Sequence, residues 1–213
     1  MEGMEVRYGL MINGEGNRMN QYEIKMYGQL NNIQKEETIG VFLEGFGHMM
    51  TFSKDNQELK SLFSNAFHPS YIYAYIENDK VLGILGIASN YIRPIKLDLS
   101  QCVRVYGKFK GSIICKQMNW IFQSQVVKKN TDIYIDVLAT TKNARGRGVA
   151  TRLLKYSFSL PKYKECYIEV LSKNINAKKL YEKSGFIEYK KKYFSFASLM
   201  GLGYPIRMKR NMI

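Results

Sequence analysis

The chain of 213 residues and 24.7 kDa is 46% hydrophobic and 13% aromatic, which suffices for a substantial core in one large domain. Its longest apolar runs, such as residues 81–88, are far shorter than the roughly 20 residues that cross a bilayer, and we see no basic and apolar leader. The three cysteines and two histidines form no zinc-ligand spacing. We therefore expect a cytoplasmic protein with no membrane partner and no metal.

The net charge of +14 is unevenly distributed along the chain. Residues 1–140 contain 15 Lys and Arg against 14 Asp and Glu, whereas residues 141–213 contain 17 against 4, so the two parts carry +1 and +13. This asymmetry predicts an anionic partner for the C-terminal part, which could be nucleic acid, a membrane surface or a phosphate-rich cofactor. A solvated, lysine-rich surface is the alternative interpretation.

The first part of the chain predicts an extension followed by mixed secondary structure. The first 20 residues, rich in Met, Gly and Asn, are expected to form a loosely ordered extension or a short extra strand before a single domain over residues 21–213. Asn78 and Asp79 form a turn pair inside an apolar stretch, which indicates a β-hairpin. The elements predicted here are, in order, a strand at 21–27, helices at 35–50 and 54–67, and two strands within 71–89.

The second part predicts alternating strands and helices. VRVYGKF at 103–109 is compatible with either a strand or a helix, while residues 112–125 predict a buried helix that carries Trp120. The elements that follow are a central strand at 132–141, a helix at 148–159, a strand at 165–171, a helix at 174–186 and an antiparallel pair at 186–194 and 204–210. The order β-α-β-α-β-β predicts a mixed α/β sheet.

Two glycines stand between arginines in ARGRGVATRLL, residues 144–154, just where a loop becomes a helix. Unpaired N–H groups and the positive end of the helix dipole make such a position an anion site near Gly146 and Gly148. A basic surface turn is the alternative, and these residues alone leave both open. The stretch is not a P-loop, because Gly-Lys-Ser/Thr is absent, nor a Rossmann fingerprint, because Thr151 replaces the third glycine.

Residues 138–150 resemble the acetyl-CoA pyrophosphate loop of the GCN5-related N-acetyltransferase (GNAT) superfamily, whose pattern is Gln/Arg-x-x-Gly-x-Gly/Ala. VLSKNINAKKLYEKSGF at 170–186 resembles the next motif of that family, Asn-x-x-Ala-x-x-Leu-Tyr-Glu-Lys-x-Gly-Phe. The resemblance covers about residues 131–210, more weakly 71–90, and implies a mixed, mostly antiparallel twisted sheet flanked by helices with an acetyl-CoA-binding core at about 131–190. The matching residues of the second motif are Asn174, Ala177, Leu180, Tyr181, Gly185 and Phe186.

The resemblance also implies a co-substrate, acetyl-CoA, and residues that contact it. Backbone groups of residues 138–140 would bind the pantetheine arm as an added strand would, and the amides of residues 146–150 would hold the pyrophosphate. Asn174 would contact the cofactor arm, and Tyr181 would protonate the leaving thiolate. The implied cofactor-binding residues are Leu138, Ala139, Thr140, Arg145, Gly146, Arg147, Gly148, Val149, Ala150, Asn174 and Tyr181, with Lys142, Arg147 and Arg152 as candidates for the nucleotide phosphates.

The implied reaction is direct attack of a neutral primary amine on the acetyl carbonyl, which needs a base and an oxyanion donor. A backbone N–H within residues 138–140 is the candidate donor. Asp136 is the first candidate for the base, because it lies two residues before Leu138 and shares its face by alternation. Glu169 is the second. A structural role for either carboxylate, and a packing role for Tyr181, are the alternatives.

Two rival functions are a non-catalytic module that binds acyl-CoA and a basic nucleic-acid-binding protein. No helix-turn-helix, zinc finger or RNP-like motif supports the latter. The acceptor is open between a small amine, an antibiotic, a peptide N-terminus and a protein lysine, and so is a homodimer. Residues 91–130 and 194–204 are longer than a compact member of the family needs, and we predict that they form a lid over the acceptor.

Overall fold

The computed structural model describes residues 22–199 and 201–212, so the expected extension at residues 1–20 lies outside the described residues. Seven strands form one sheet in the order β1-β2-β3-β4-β5-β7-β6. Their bounds are β1 Tyr22–Met26, β2 Ile72–Glu77, β3 Lys80–Ala88, β4 Asp132–Thr140, β5 Glu165–Leu171, β6 Ile187–Lys191 and β7 Pro205–Asn211. Each predicted strand is present.

All neighbouring strands are antiparallel except β4 and β5, which run parallel. The parallel pair follows from the helical crossover between them, since parallel neighbours cannot be joined by a tight turn. The predicted hairpin is confirmed: Asn78 and Asp79 have φ values of 50° and 58°, the left-handed region that a two-residue turn between β2 and β3 requires. The sheet is therefore mixed and mostly antiparallel, as expected.

The described part of the chain also contains seven α-helices. They are α1 Asn32–Phe46, α2 Asn56–Phe63, α3 Leu99–Tyr106, α4 Lys108–Phe122, α5 Val149–Phe158, α6 Ile175–Lys183 and α7 Phe196–Leu199. The first helix begins earlier than predicted, because the side chain of Asn31 accepts a hydrogen bond from the Gln34 amide at 2.9 Å and caps it. The second ends before Phe67, which instead pairs with Ile95 in an isolated bridge.

Two apolar layers lie on opposite faces of the sheet. On β2, Ile72 and Ala74 pack into the layer formed with α1–α4, whereas Tyr73 and Tyr75 pack into the layer formed with α5 and α6. Alternation along a strand produces this division. Gly83 on β3 lets α5 approach the sheet closely, because a Cβ there would lie 2.6 Å from a methyl carbon of Val149.

Residues 91–130 contain a helical hairpin formed by α3 and α4. The sequence predicted only one helix here and left 103–109 open between strand and helix. VRVYGKF contributes the end of α3 and the start of α4, with Gly107 at the turn between them. The predicted helix at 112–125 exists, but its predicted burial of Trp120 is wrong, because that side chain is 80% exposed. The buried face of α4 carries Ile114 and Cys115 instead.

Candidate functional site

The parallel strands β4 and β5 separate halfway along their length. They pair from Asp132 with Glu165 to Ile135 with Ile168, and no further, although β4 continues to Thr140 and β5 to Leu171. Beyond Ile135, the edge of β4 that faces β5 makes no ladder with it. Residues 138–140, which the resemblance assigns to the pantetheine arm, lie on this open edge, and an extended chain could pair with them.

The glycine loop lies directly after this open edge. Gly146 and Gly148 are exposed and have φ values of 77° and 80°, a conformation that favours glycine. Gly148 directly precedes α5, and no side chain caps the start of this helix. The first hydrogen bond within α5 runs from Arg152 N–H to the Gly148 carbonyl at 3.0 Å. The amides of residues 149–151 therefore have no partner within the helix, and a helix start of this kind can bind an anion at its positive end.

Two arginines of the loop contact the protein itself. Arg147 forms an ion pair with the buried Glu77 at the end of β2. Arg152 donates a hydrogen bond from Nη1 to the Arg147 carbonyl at 2.7 Å and lies over the Tyr22 ring. These contacts fix the shape of the loop. Arg145 is exposed.

The second motif forms the start and the buried face of α6. Asn174 caps the helix, because its Oδ1 accepts a hydrogen bond from the Ala177 amide at 3.1 Å. Tyr181 is 8% exposed and packs near Phe186, and burial raises the pKa of its hydroxyl to about 12. A phenol in this environment keeps its proton at neutral pH, as a proton donor must.

The alternation that placed Asp136 on the face of Leu138 is wrong, because a β-bulge interrupts β4. Gly86 pairs with Val137 and Ile87 pairs with Ile135, so Asp136 is an extra residue at this point. Leu138 packs into the layer of α5 and α6. The carboxylate of Asp136 instead reaches Arg93, whose guanidinium also donates to the Ser124 carbonyl just after α4.

The ion pair between Arg93 and Asp136 is almost fully buried. Nη2 of Arg93 lies 2.8 Å from Oδ1 and 2.9 Å from Oδ2, and the two side chains are 8% and 14% exposed. Burial raises the pKa of Asp136, and Arg93 opposes that rise. Because both carboxylate oxygens accept from one guanidinium, this carboxylate is well held but poorly placed to receive a proton.

Five polar residues cluster on the face of the sheet that carries α1–α4, around the point where β4 and β5 separate. Burial raises the pKa of the Tyr134 hydroxyl, and the nearby carboxylates of Glu169 and Asp136 raise it further. Glu169 is 27% exposed and follows the last parallel pair, and Nε of Arg207 lies 3.1 Å from its Oε2. We call this set the polar cluster; it comprises Arg93, Tyr134, Asp136, Glu169 and Arg207.

Sequence reasoning missed three members of the polar cluster and the loop anchor Glu77. Arg93 lies in a loop 43 positions from Asp136, so no local spacing connects them. Tyr134 had a usable signal, since it is two residues before Asp136 on a strand that was correctly predicted. Arg207 faces Glu169 only because β7 inserts between β5 and β6.

Residues 22–199 and 201–212 show neither a metal-binding group nor a membrane-spanning helix. These residues contain no group of three His, Cys, Asp or Glu that could hold a metal ion. None of their helices is long and apolar enough to span a bilayer. The three cysteines are buried and form no disulfide, and Cys166 lies in the core.

Comparison with known proteins gives consistent matches. The model of a family described as "Acetyltransferase (GNAT) family" matches residues 34–186. N-alpha-acetyltransferase 30 of Schizosaccharomyces pombe is 35% identical over 91 residues, which are 40% of this chain and 55% of that protein. The match thus spans about half the length of this curated relative.

Solved structures share the fold. An N-acetyltransferase from Staphylococcus aureus Mu50 is 18% identical and superposes with a TM-score of 0.57 over 87% of this chain and 98% of its own. A GNAT-family acetyltransferase from Bacillus cereus ATCC 10987 is 12% identical, with a TM-score of 0.55 over 90% and 98%. At sequence identities of 18% and 12%, these similarities show a shared fold and nothing more specific.

The buried ion pair makes a specific stability prediction. We expect Arg93→Ala to lower the free energy of unfolding by about 3–5 kcal/mol, because it leaves the Asp136 charge buried without a partner. Arg104→Ala, at an exposed position on α3, should cost less than about 0.5 kcal/mol. Chemical denaturation followed by circular dichroism measures both. Equal effects of the two substitutions would contradict this account of the pair.

Proposed function

This chain belongs to the GNAT family of acetyltransferases, and we propose that it transfers the acetyl group of acetyl-CoA to a primary amine. The observation that carries the proposal is the open edge of β4, followed after the short 3-10 turn Lys142–Ala144 and the glycine loop by the uncapped start of α5. An extended arm that ends in a pyrophosphate fits this order, since backbone pairing and an anion site succeed each other along the chain.

We propose that residues 138–140 pair with the pantetheine arm and that the amides of residues 146–150 bind the pyrophosphate. The amide of Arg147 donates to the Ala144 carbonyl at 3.3 Å, whereas those of Val149 and Ala150 have no partner within α5 and are the main proposed donors. Arg145 is the loop arginine best placed to add a charge contact, because Arg147 and Arg152 have partners within the protein. The amide nitrogen of Asn174 stays available to the arm while its oxygen caps α6.

Acetyl-CoA supplies a thioester, so transfer forms a C–N bond and breaks a C–S bond. Tyr181 is the proposed acid that protonates the departing thiolate, and its raised pKa keeps the proton available. A backbone N–H of residues 138–140 is the proposed oxyanion donor. Tyr181 packs on the α5 and α6 side, whereas the polar cluster lies on the other, so acid and base would act from opposite faces.

Asp136 and Glu169 are the two candidates for the base that takes the proton of the attacking amine. The geometry favours Glu169, because it is partly exposed and both of its ion pairs, with Arg207 at 3.1 Å and Lys192 at 3.8 Å, involve Oε2. Asp136 is the alternative, with its oxygens held by Arg93. In the proposal Asp136 mainly positions the bulge.

For the acceptor we propose the α-amine of a polypeptide N-terminus. The support is the name of the S. pombe relative, N-alpha-acetyltransferase 30, together with the matched segment of 91 residues. The β6–β7 connection, predicted as part of a lid, is anchored beside the open end of β5, where Ser172 N–H donates to the Tyr204 carbonyl at 2.9 Å. Met200 of that segment lies outside the described residues. The lid remains a proposal.

Tyr181→Phe tests the acid. We expect kcat with a peptide acceptor to fall about 100-fold, with acetyl-CoA affinity nearly unchanged, because only the transferable proton is removed. Tyr189→Phe on the exposed β6 strand is the matched control. Because the Tyr181 pKa is about 12, wild-type kcat should show no alkaline loss from this residue up to about pH 10. Release of the CoA thiol measures the kcat of the variant and the pH dependence of wild-type kcat. An unchanged kcat in Tyr181→Phe would contradict the role of Tyr181 as the acid.

Glu169→Gln tests the base against Asp136→Asn. We expect Glu169→Gln to lower kcat at neutral pH about 100-fold and to shift the acidic limb of its pH profile, with stability little changed. Glu165→Gln, on the same strand and face, should leave kcat unaltered. Asp136→Asn should chiefly lower stability. If Asp136→Asn, measured where it is folded, loses the larger share of kcat, the base is Asp136 instead.

Gly148→Ala tests the phosphate loop and separates binding from catalysis. We expect acetyl-CoA to bind about tenfold more weakly by calorimetry, because a side chain at a positive φ strains the turn and obstructs the amides. Gly201→Ala carries the same kind of strain at φ 71° outside the loop and serves as the control. If the wild-type protein, Gly148→Ala and Gly201→Ala all bind acetyl-CoA with equal affinity, this loop is not the pyrophosphate site. Tight binding without acetyl transfer would favour the non-catalytic module.

A further inference from the structure

The outward face of α4 carries an apolar ridge. Phe109, Ile113 and Trp120 are 84%, 42% and 80% exposed, and their spacing of four and then seven residues places them on one side of the helix. The opposite side of α4 packs Ile114 and Cys115 against the protein. Exposed aromatic residues grouped in this way mark a contact surface rather than ordinary scatter.

The segment that carries the ridge is rich in positive charge. From residue 99 to residue 130 the sequence contains six Lys and Arg and no Asp or Glu. Lys116 lies on the ridge itself, one turn before Trp120. The exposed cations of this segment are Arg104, Lys108, Lys110, Lys116, Lys128 and Lys129. An occupant of this surface must therefore offer both apolar and anionic groups.

Shape and charge distinguish the candidate occupants. A second copy of this chain, with a net charge of +14, would repel the surface. A double-stranded nucleic acid would satisfy the lysines but offers no apolar groups for the ridge. A protein partner would need a groove complementary to a convex helix. A lipid surface with anionic headgroups satisfies the cations and deforms around the aromatic side chains.

We propose that α4 lies on an anionic bilayer surface, with Phe109, Ile113 and Trp120 among the upper acyl chains and the lysines at the headgroup phosphates. Such helices carry Lys or Arg beside a Trp- and Phe-bearing apolar face. The sequence expectation of no membrane partner rested on the lack of a spanning segment, and a surface contact needs none. This surface contact does not depend on the proposed acetyl transfer.

Trp120 provides a direct probe, because it is the only tryptophan in the chain. The full chain is mixed with vesicles of phosphatidylcholine containing about one third phosphatidylserine, and with vesicles of phosphatidylcholine alone. We expect co-sedimentation and a blue shift of Trp120 emission with the anionic vesicles only, both weakened by salt. Binding to both vesicle types alike, or binding without a shift, overturns the proposal.

Matched variants locate the contact. Phe109→Ser should weaken vesicle binding about tenfold, whereas Phe194→Ser, which alters a fully exposed phenylalanine elsewhere, should not. Lys108→Gln with Lys110→Gln should weaken it at least about fivefold, and the charge-matched pair Lys179→Gln with Lys190→Gln should have less effect. Far-ultraviolet circular dichroism verifies folding. If each variant binds vesicles as well as its control, α4 is not the contact surface. Quenching of Trp120 by an oligonucleotide, with no response to vesicles, would also refute the proposed membrane contact.

Discussion

The limited pairing between β4 and β5 is the constraint on which the rest of the site depends. The two strands pair in parallel over four residues and then diverge, although both continue for several residues more. A fully paired β4 would have no free edge for an extended ligand. The β-bulge at Asp136 lies at the point of divergence, and the buried ion pair with Arg93 holds it there. The glycine loop and the start of α5 then follow at the open end, so a backbone edge and an anion site occur in sequence.

Where β4 and β5 separate, the proposed acid and the proposed base lie on opposite faces of the sheet. Tyr181 belongs to the apolar layer of α5 and α6, where burial raises the pKa of its hydroxyl. The polar cluster lies on the other face, where Glu169 is partly exposed and Asp136 is held by Arg93. The raised pKa keeps the Tyr181 phenol protonated, as a proton donor must be, and Glu169 is the proposed acceptor on the other face. In the proposed reaction, the acid and the base therefore act on the substrate from opposite faces of the sheet.

Most of the C-terminal half could be predicted because its signals are local. The β-branched and aromatic residues of 132–141 and the glycines of 144–154 each act within a few residues, and the observed elements agree. The bulge at Asp136 depends on pairing with β3, so alternation along β4 alone assigned its side chain to the wrong face. The ion pair with Arg93 joins residues 43 positions apart, across the segment that contains α3 and α4, so no local pattern indicates it. Trp120 was expected inside because apolar residues usually are, but α4 is apolar on two sides and only one meets the core.

Amide hydrogen exchange with and without acetyl-CoA tests the central claim most directly, because it reports backbone protection residue by residue. If the open edge of β4 binds an extended arm and the start of α5 binds a pyrophosphate, acetyl-CoA slows exchange in residues 138–140 and 146–151. Exchange in β1 and β2, at the far side of the sheet, should be little altered. Protection confined to other segments, or none at saturating acetyl-CoA, would contradict a cofactor site between the separated strands.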